Sequence, residues 1–447
     1  MRRRYAGDAV ETYYEITPAE KLQGYVPIQG SKNAVLPMLA ASLLTEEPIS
    51  FVGCPDITDV RHTICILRLL GARCVCKGSE WLVDASEISK NGFEQKKYIL
   101  YDERCGSFMR ASILFLGAML GRFGQAFVPY PGGCKIGTRP INLHLQIVRD
   151  LGGHVEEQCC GIYADGKGMK GGKICLPFPS VGATQNAMLM AVLLKGTTVI
   201  EGAAREPEIV SLAELLNRMG GKVFCAGTKQ IMIEGVERLH GCRMSVPKDR
   251  IVAGTYLTAI AAVGGQGVFA GVQPKELEKV LILLSKMGCK IRTWFERECP
   301  YISIEKDGTL AFGRCLRTEI YPGFPTDLQS QFGVLLATVP GEHKIKETIF
   351  ENRFDSLMEL NKMGGHIYKD ETESSIVHIL GGRPLLGARV HGYDLRGAAA
   401  LAIAGLKADG VTKLSGIEYL LRGYEDFIGD MAALGAKITE RNGKDET

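Results

Sequence analysis

The chain has 447 residues, 46% of them apolar and 23% charged, with a formal net charge of +3. That length exceeds one ordinary core and predicts two domains. The near-neutral charge gives no footing for nucleic acid or an anionic membrane surface, and the absence of an apolar run of about 18 residues excludes a membrane-spanning helix.

From the N-terminus, Arg2-Arg3-Arg4 is followed by Glu11, Glu15 and Glu20 rather than an apolar stretch, so no signal peptide is read there. A strand is expected over Gly24-Tyr25-Val26-Pro27-Ile28, pairing with the end of the chain. One unit then recurs six times. Its first part is a helix that is apolar nearly all round: Asn33–Leu44, Met109–Leu120, Ala183–Leu194, Arg250–Val263, Asp327–Thr338 and Leu395–Leu406. Such helices have no polar face to give to water and predict burial on all sides. Its second part is an amphipathic helix, such as Glu208–Met219, that stops at Leu-Gly or Met-Gly. The six stops are Gly71, Gly152, Gly220, Gly288, Gly364 and Gly435, each placed to adopt a left-handed conformation before the next strand. The repeats predict an α/β protein of two domains, three units in each, with sheets outside buried helices. The boundaries are placed at 32–246 for one domain and at 1–31 with 247–447 for the other, with an active site in the cleft between them.

Polar residues collect at the starts of the buried helices: Lys32 and Asn33, Arg110, Ser180, Asp249 and Arg250, Asp327, and Asp394 with Arg396. Helix N-termini offer free N–H groups and a partial positive charge, so these positions suit a phosphate or carboxylate. Asp249, Asp327 and Asp394 taken singly fit helix caps. The loop Pro131-Gly132-Gly133-Cys134-Lys135-Ile136-Gly137-Thr138-Arg139-Pro140 surrounds a cysteine with glycines and two cations that would favour its thiolate. The chain has 14 cysteines in all, and they lack Cys-x-x-Cys or zinc-type spacing. Cys65, Cys175 and Cys225 sit in apolar runs, where buried thiols in a reducing cytoplasm are expected, without a disulfide framework.

The motifs Gly30-Ser31-Lys32-Asn33-Ala34, Met109-Arg110-Ala111-Ser112, the Cys134 loop, Ser180-Val181-Gly182-Ala183-Thr184, Phe324-Pro325-Thr326-Asp327, Phe350-Glu351-Asn352-Arg353-Phe354, Asp394-Leu395-Arg396 and Arg422-Gly423-Tyr424-Glu425 follow one another in the order seen in the enolpyruvyl transferases. From Leu22 to Lys437 the chain resembles that family. The resemblance implies a two-domain inside-out α/β barrel of six repeats. It implies transfer of the enolpyruvyl group of phosphoenolpyruvate to the 3-hydroxyl of UDP-N-acetylglucosamine, releasing phosphate, as the first committed step of peptidoglycan synthesis in the cytoplasm. No metal and no organic cofactor are expected, and the partners are the two small-molecule substrates.

By resemblance, Cys134 is the acid that protonates the methylene carbon, Asp327 the base for the sugar hydroxyl, and Lys32 and Asp394 further catalytic groups. Lys32, Asn33, Arg110, Arg139, Arg396 and Arg422 would hold phosphoenolpyruvate. Asn33, Arg110, Arg139, Pro140, Ile141, Asn142, Leu143, Ser180, Val181, Gly182, Asp327, Ile349 and Phe350 would line the nucleotide-sugar site. Three positions depart from the family pattern: Asn142 replaces an aspartate, Phe178 a lysine, and Leu421 an aspartate before Arg422. They leave open a divergent or silent paralogue that binds nucleotide sugar; the separate alternative is the sister enzyme acting on shikimate 3-phosphate, which lacks the Pro-Gly-Gly-Cys loop and the Ser-Val-Gly-Ala-Thr stretch.

Overall fold

The computed structural model of the chain describes residues 12–88, 109–132, 137, 140–313 and 315–442. All six predicted stop glycines adopt positive φ, from 79° at Gly364 to 118° at Gly288. In the repeat ending at Gly71, the glycine N–H bonds to the carbonyls of Arg68 and Leu67, which closes the Thr58–Leu70 helix. Strand residues then follow at once, as in Arg73–Lys77, His154–Gln158, Lys222–Phe224 and Lys290–Glu296.

The apolar helices fall where their composition put them. They are Lys32–Ala41, Leu114–Phe123, Val181–Ala191, Arg250–Val263, Gln329–Thr338 and Leu395–Lys407. Every residue of Arg250–Val263 is buried, as the absence of a polar face requires. Around Arg110 and Asp327 the first turn tightens into a short 3₁₀ segment, Arg110–Ile113 and Thr326–Leu328, before the α-helix begins.

The chain divides into two units. One holds the described residues up to Ile28 and from Arg250 on. The other holds those from Gln29 to Asp249, the Cys134 loop aside. Within the second, residues 29–31 and 247–249 run side by side. Gly30 pairs with Lys248, Ser31 N–H donates to Pro247 O at 2.7 Å, and Asp249 N–H donates to Gln29 O at 2.9 Å.

Each unit has its own core and three sheets among the described residues. In the unit from Gln29 to Asp249 the sheets are built on Ile49–Val52, Gln125–Pro129 and Thr197–Glu201. In the other they are built on Thr12–Thr17, Gly265–Ala270 and Gly341–Lys346. Ile49–Val52 alternates buried and intermediate positions, so it buries one face, whereas Gln125–Pro129 buries four consecutive residues. The described sheets have three or four strands and stay separate, so the α/β architecture of buried helices and outer sheets is realised without a closed barrel.

Two expectations need correction. Leu22–Pro27 pairs in parallel with Gly265–Ala270, and it is the preceding strand, Thr12–Thr17, that pairs with the C-terminal Lys437–Asn442. Pro27 explains part of this: it lacks an N–H and sits in an edge strand, where one side of the ladder stays open. Cys175 and Cys225 are exposed, and Cys65 is disulfide-bonded rather than a buried free thiol. Their runs are strands or helix flanks with one face outward, and an apolar run on such an element does not bury every position. Among the described residues no helix is long and apolar enough to cross a membrane.

Candidate active site

In the unit from Gln29 to Asp249, Ser31 caps the first buried helix, its hydroxyl accepting from Ala34 N–H at 3.4 Å. The cap places Lys32 in the first turn, where its backbone N–H donates to Asp249 Oδ2 at 3.0 Å. The Lys32 ammonium meets Asp59 Oδ2 at 2.7 Å, with both side chains largely out of water. Pairing with a buried carboxylate fixes the direction of this side chain. Arg110 donates from Nη2 to Pro140 O at 3.1 Å, which ties the short segment Arg110–Ile113 to the residues before Asn142–Asp150. Ser180 caps Val181–Ala191, so Val181 and Gly182 stand at the N-terminal turn with Ser180 Oγ accepting from Ala183 N–H. His144, on Asn142–Asp150, is buried and lies against Gly182.

The other unit gathers an acid among arginines. Asp327 Oδ1 accepts from Arg353 Nη2 at 2.7 Å, and Asp327 Oδ2 from Arg396 Nη2 at 3.4 Å. Arg353 and Arg396 are buried, while the Asp327 side chain keeps 27% of its surface. Burial alone would raise this carboxyl, but the charges of Arg353, then Arg396, with a contribution from Arg250, outweigh it and hold Asp327 far below the usual carboxylate range. Asp327 is therefore ionised, the state a base requires. Arg353 also donates from Nη1 to Thr326 Oγ1 at 2.9 Å, so it grips both Thr326 and Asp327. Glu347, buried, accepts from Thr326 Oγ1 at 2.8 Å, and its other oxygen accepts from the N–H groups of Ile349 and Phe350 at 2.8 and 3.3 Å. One carboxylate thus fixes Ile349 and Phe350 relative to Thr326.

Asp394 caps Leu395–Lys407, accepting from Arg396 N–H and Gly397 N–H at 2.9 and 3.1 Å, and Ser356 Oγ donates to its second oxygen at 3.2 Å. The structure gives it the cap role, which orients Arg396. Arg396 lies over the ring of Tyr424, 5.9 Å from its centroid, and the Tyr424 hydroxyl pairs with Thr255 Oγ1 at 2.8 Å. Arg422 ends the short 3₁₀ segment Ile417–Arg422, two residues before this anchor.

Of the residues singled out in the sequence, Lys32, Asn33, Arg110, Pro140, Ile141, Asn142, Leu143, Ser180, Val181 and Gly182 lie in the unit from Gln29 to Asp249. Asp327, Ile349, Phe350, Asp394, Arg396 and Arg422 lie in the other. Cys134 and Arg139 lie outside the described residues. The departures Phe178 and Leu421 are exposed, at 42% and 46%. Sequence reading missed Asp59, Glu347 and the role of Arg353. Arg353 sat in a quoted motif, but nothing local tells an arginine that binds ligand from one that grips an acid. Asp59, in the first turn of its helix, reads as a helix-dipole acid until Lys32 is seen against it.

A family model described as EPSP synthase (3-phosphoshikimate 1-carboxyvinyltransferase) matches residues 16–431. UDP-N-acetylglucosamine 1-carboxyvinyltransferase 1 of Carboxydothermus hydrogenoformans is 41% identical over 434 residues, 96% of this chain and 99% of that protein. UDP-N-acetylglucosamine 1-carboxyvinyltransferase of Fervidobacterium nodosum is 41% identical over 424 residues, 95% of this chain and 97% of that one. Among solved structures, the enolpyruvyl transferase NikO from Streptomyces tendae matches with a TM-score of 0.82 at 22% identity, over 97% of this chain and 99% of its own. EPSP synthase from Acinetobacter baumannii matches at 0.70 and 18% identity, over 96% and 100%. At those identities the two solved structures are alike in fold.

Proposed function

Because the chain belongs to the enolpyruvyl transferase family, we propose that it transfers the enolpyruvyl group of phosphoenolpyruvate to the 3-hydroxyl of UDP-N-acetylglucosamine, releasing phosphate. The observation that carries the reading is the ionised Asp327 held between Arg353 and Arg396, a base set beside anion-binding groups. The named carboxyvinyltransferases to which the chain is similar along nearly its whole length point to the same acceptor.

The chemistry assigns the roles. Asp327 takes the proton of the 3-hydroxyl as its oxygen bonds to C2 of phosphoenolpyruvate. Cys134 delivers a proton to C3, giving a tetrahedral phospholactyl ketal. Loss of a C3 proton and cleavage of the C2–O bond to phosphate then restore the double bond. Lys32, Arg110, Arg139, Arg396 and Arg422 hold the phosphate and carboxylate, the arginines through paired N–H donors. In the resting chain Arg353 and Arg396 hold the Asp327 proton affinity low, which makes it a weak base. An anionic substrate that engages Arg396 would draw that charge away and strengthen the base as the reactants arrive. Asp394 serves this step by orienting Arg396 through its cap. Asn33 and Phe350 bind the sugar. Pro140, Ile141, Asn142, Leu143 and Ile349, with Ser180, Val181 and Gly182, take the uridine diphosphate. Each compact unit is read as one domain of three repeats. The reaction opens peptidoglycan synthesis in the cytoplasm, where both substrates are made.

Phosphate release from phosphoenolpyruvate by the purified protein tests the reading. It is expected with UDP-N-acetylglucosamine and absent without it. Release with shikimate 3-phosphate instead would move the chain to the activity in the family model's description. Binding of the nucleotide sugar without release would make it a silent paralogue.

A further inference from the structure

The start of Val181–Ala191 is faced by a histidine whose proton has a fixed position. Asn186, fully buried on that helix, is held by three neighbours. Its Oδ1 accepts from Gly117 N–H at 2.9 Å, and its Nδ2 donates to Ile113 O at 2.9 Å and meets His144 Nδ1 at 2.6 Å. A backbone N–H can only donate and a carbonyl can only accept, so Gly117 and Ile113 leave the amide one orientation. The second Nδ2 hydrogen then points at His144 Nδ1, which must accept it. The proton of the neutral imidazole is therefore on Nε2.

Gly117 makes this approach possible, since a Cβ there would lie 2.5 Å from Asn186 Oδ1. The other end of the imidazole reaches the N-terminal turn of the helix. A Cβ at Gly182 would lie 3.3 Å from His144 Cε1 and 3.6 Å from Nε2. His144 is 4% exposed, and Nε2 has no hydrogen-bond partner among the described residues. Burial, and after it the nearby charge of Arg110, keep the ring neutral, with its pKa lowered to about 3. An N–H donor without a partner, on a ring that is 4% exposed and set beside the N-terminal turn of a helix, suits an anionic oxygen.

We propose that His144 donates its Nε2–H to the diphosphate of the nucleotide sugar at the start of Val181–Ala191, and that Asn186 is the positioning residue that fixes its tautomer. The proposal rests on the nucleotide-sugar reading above. It also supplies a diphosphate donor in a chain where Phe178 stands in place of a lysine.

Two measurements test it. In wild-type protein with 15N-labelled histidine, the His144 signal, assigned by its loss in His144→Gln, should show Nε2 protonated and Nδ1 not. UDP should shift Nε2, while uridine and inorganic phosphate should not. In kinetics, His144→Phe should raise KM for UDP-N-acetylglucosamine about 10- to 100-fold, the loss of one hydrogen bond to a charged group. KM for phosphoenolpyruvate, at saturating nucleotide sugar, should stay within about twofold, and His144→Gln, which regains a donor, should recover most of the difference. Asn186→Asp, which moves the proton to Nδ1, should mimic His144→Phe. An Nδ1–H tautomer, no response to UDP, or an unchanged KM in His144→Phe with wild-type turnover intact would overturn the proposal alone. Failure of the wild type to bind any UDP-sugar would overturn it together with the functional reading.

Discussion

Arg353 shows how one buried side chain sets the behaviour of a catalytic group. Its two terminal nitrogens reach Thr326 and Asp327 separately, a span that lysine cannot cover with a single ammonium. Arg353→Lys is therefore expected to fold normally yet lose about 10- to 100-fold in kcat, within the range of a misplaced general base. Asp327→Asn should lose about 1,000-fold or more while still binding nucleotide sugar by calorimetry; wild-type turnover in this variant would remove Asp327 from the mechanism. Asp430 is the opposite electrostatic case. Burial raises its pKa to about 6, with Asp426 and Glu425 adding to the rise, although Tyr256 OH donates to it at 2.6 Å. The folded state takes up this proton before the unfolded chain does, so the carboxylate weakens the fold above pH 6 and the penalty fades as pH falls towards 3.8. Asp430→Asn, which still accepts from Tyr256, should stabilise the protein at pH 7.5 by about 1 kcal/mol after allowance for its partial exposure, measured by urea unfolding.

At the level of elements, the repeat depends on helix ends as much as on helices. At Gly288 a Cβ would meet nothing closer than 3.6 Å, so alanine there tests backbone strain and not crowding. With φ at 118°, Gly288→Ala should cost about 1–2 kcal/mol without loss of activity. At Gly117 the reverse holds: the conformation is ordinary, but an added methyl would press on the Asn186 side chain and backbone. Gly117→Ala should cost about 1–3 kcal/mol through overpacking and also disturb His144. The stop glycines were legible because the preference is local and the motif recurs. Gly117 was not, because its constraint comes from a helix 69 residues further along the chain.

For the molecule as a whole, acid stability reports the buried imidazole. The unfolded chain protonates His144 near pH 6.5, and the folded chain does so only near 3. Its contribution is complete above pH 6.5 and is lost as pH falls from there to 3. Between pH 7.5 and 5 the wild type should lose about 2 kcal/mol more than His144→Gln in urea unfolding. Equal losses would show that the ring is not held neutral. A ligand that binds only the folded chain also stabilises it, by about 2.7 kcal/mol at one hundred times Kd. UDP-N-acetylglucosamine should therefore raise Tm in wild type and in Cys134→Ala alike, whereas an epoxide phosphonate should label wild type and spare Cys134→Ala by mass spectrometry.

The sequence by itself determined the repeat, the six buried helices, their glycine stops and the order of the family's motifs. These are written in local composition: an apolar helix has nowhere to go but inside, and a left-handed helix end selects glycine. Only the tertiary structure decided which strand meets the C-terminus, that Asp59 pairs with Lys32, and that Arg353 grips Asp327. Only it brought Ser356 to Asp394 and Asn186 to His144, the contact from which the proton on Nε2 is inferred. Each of these is a pairing between distant segments. A charge or an amide reveals its role only when its partner is seen beside it.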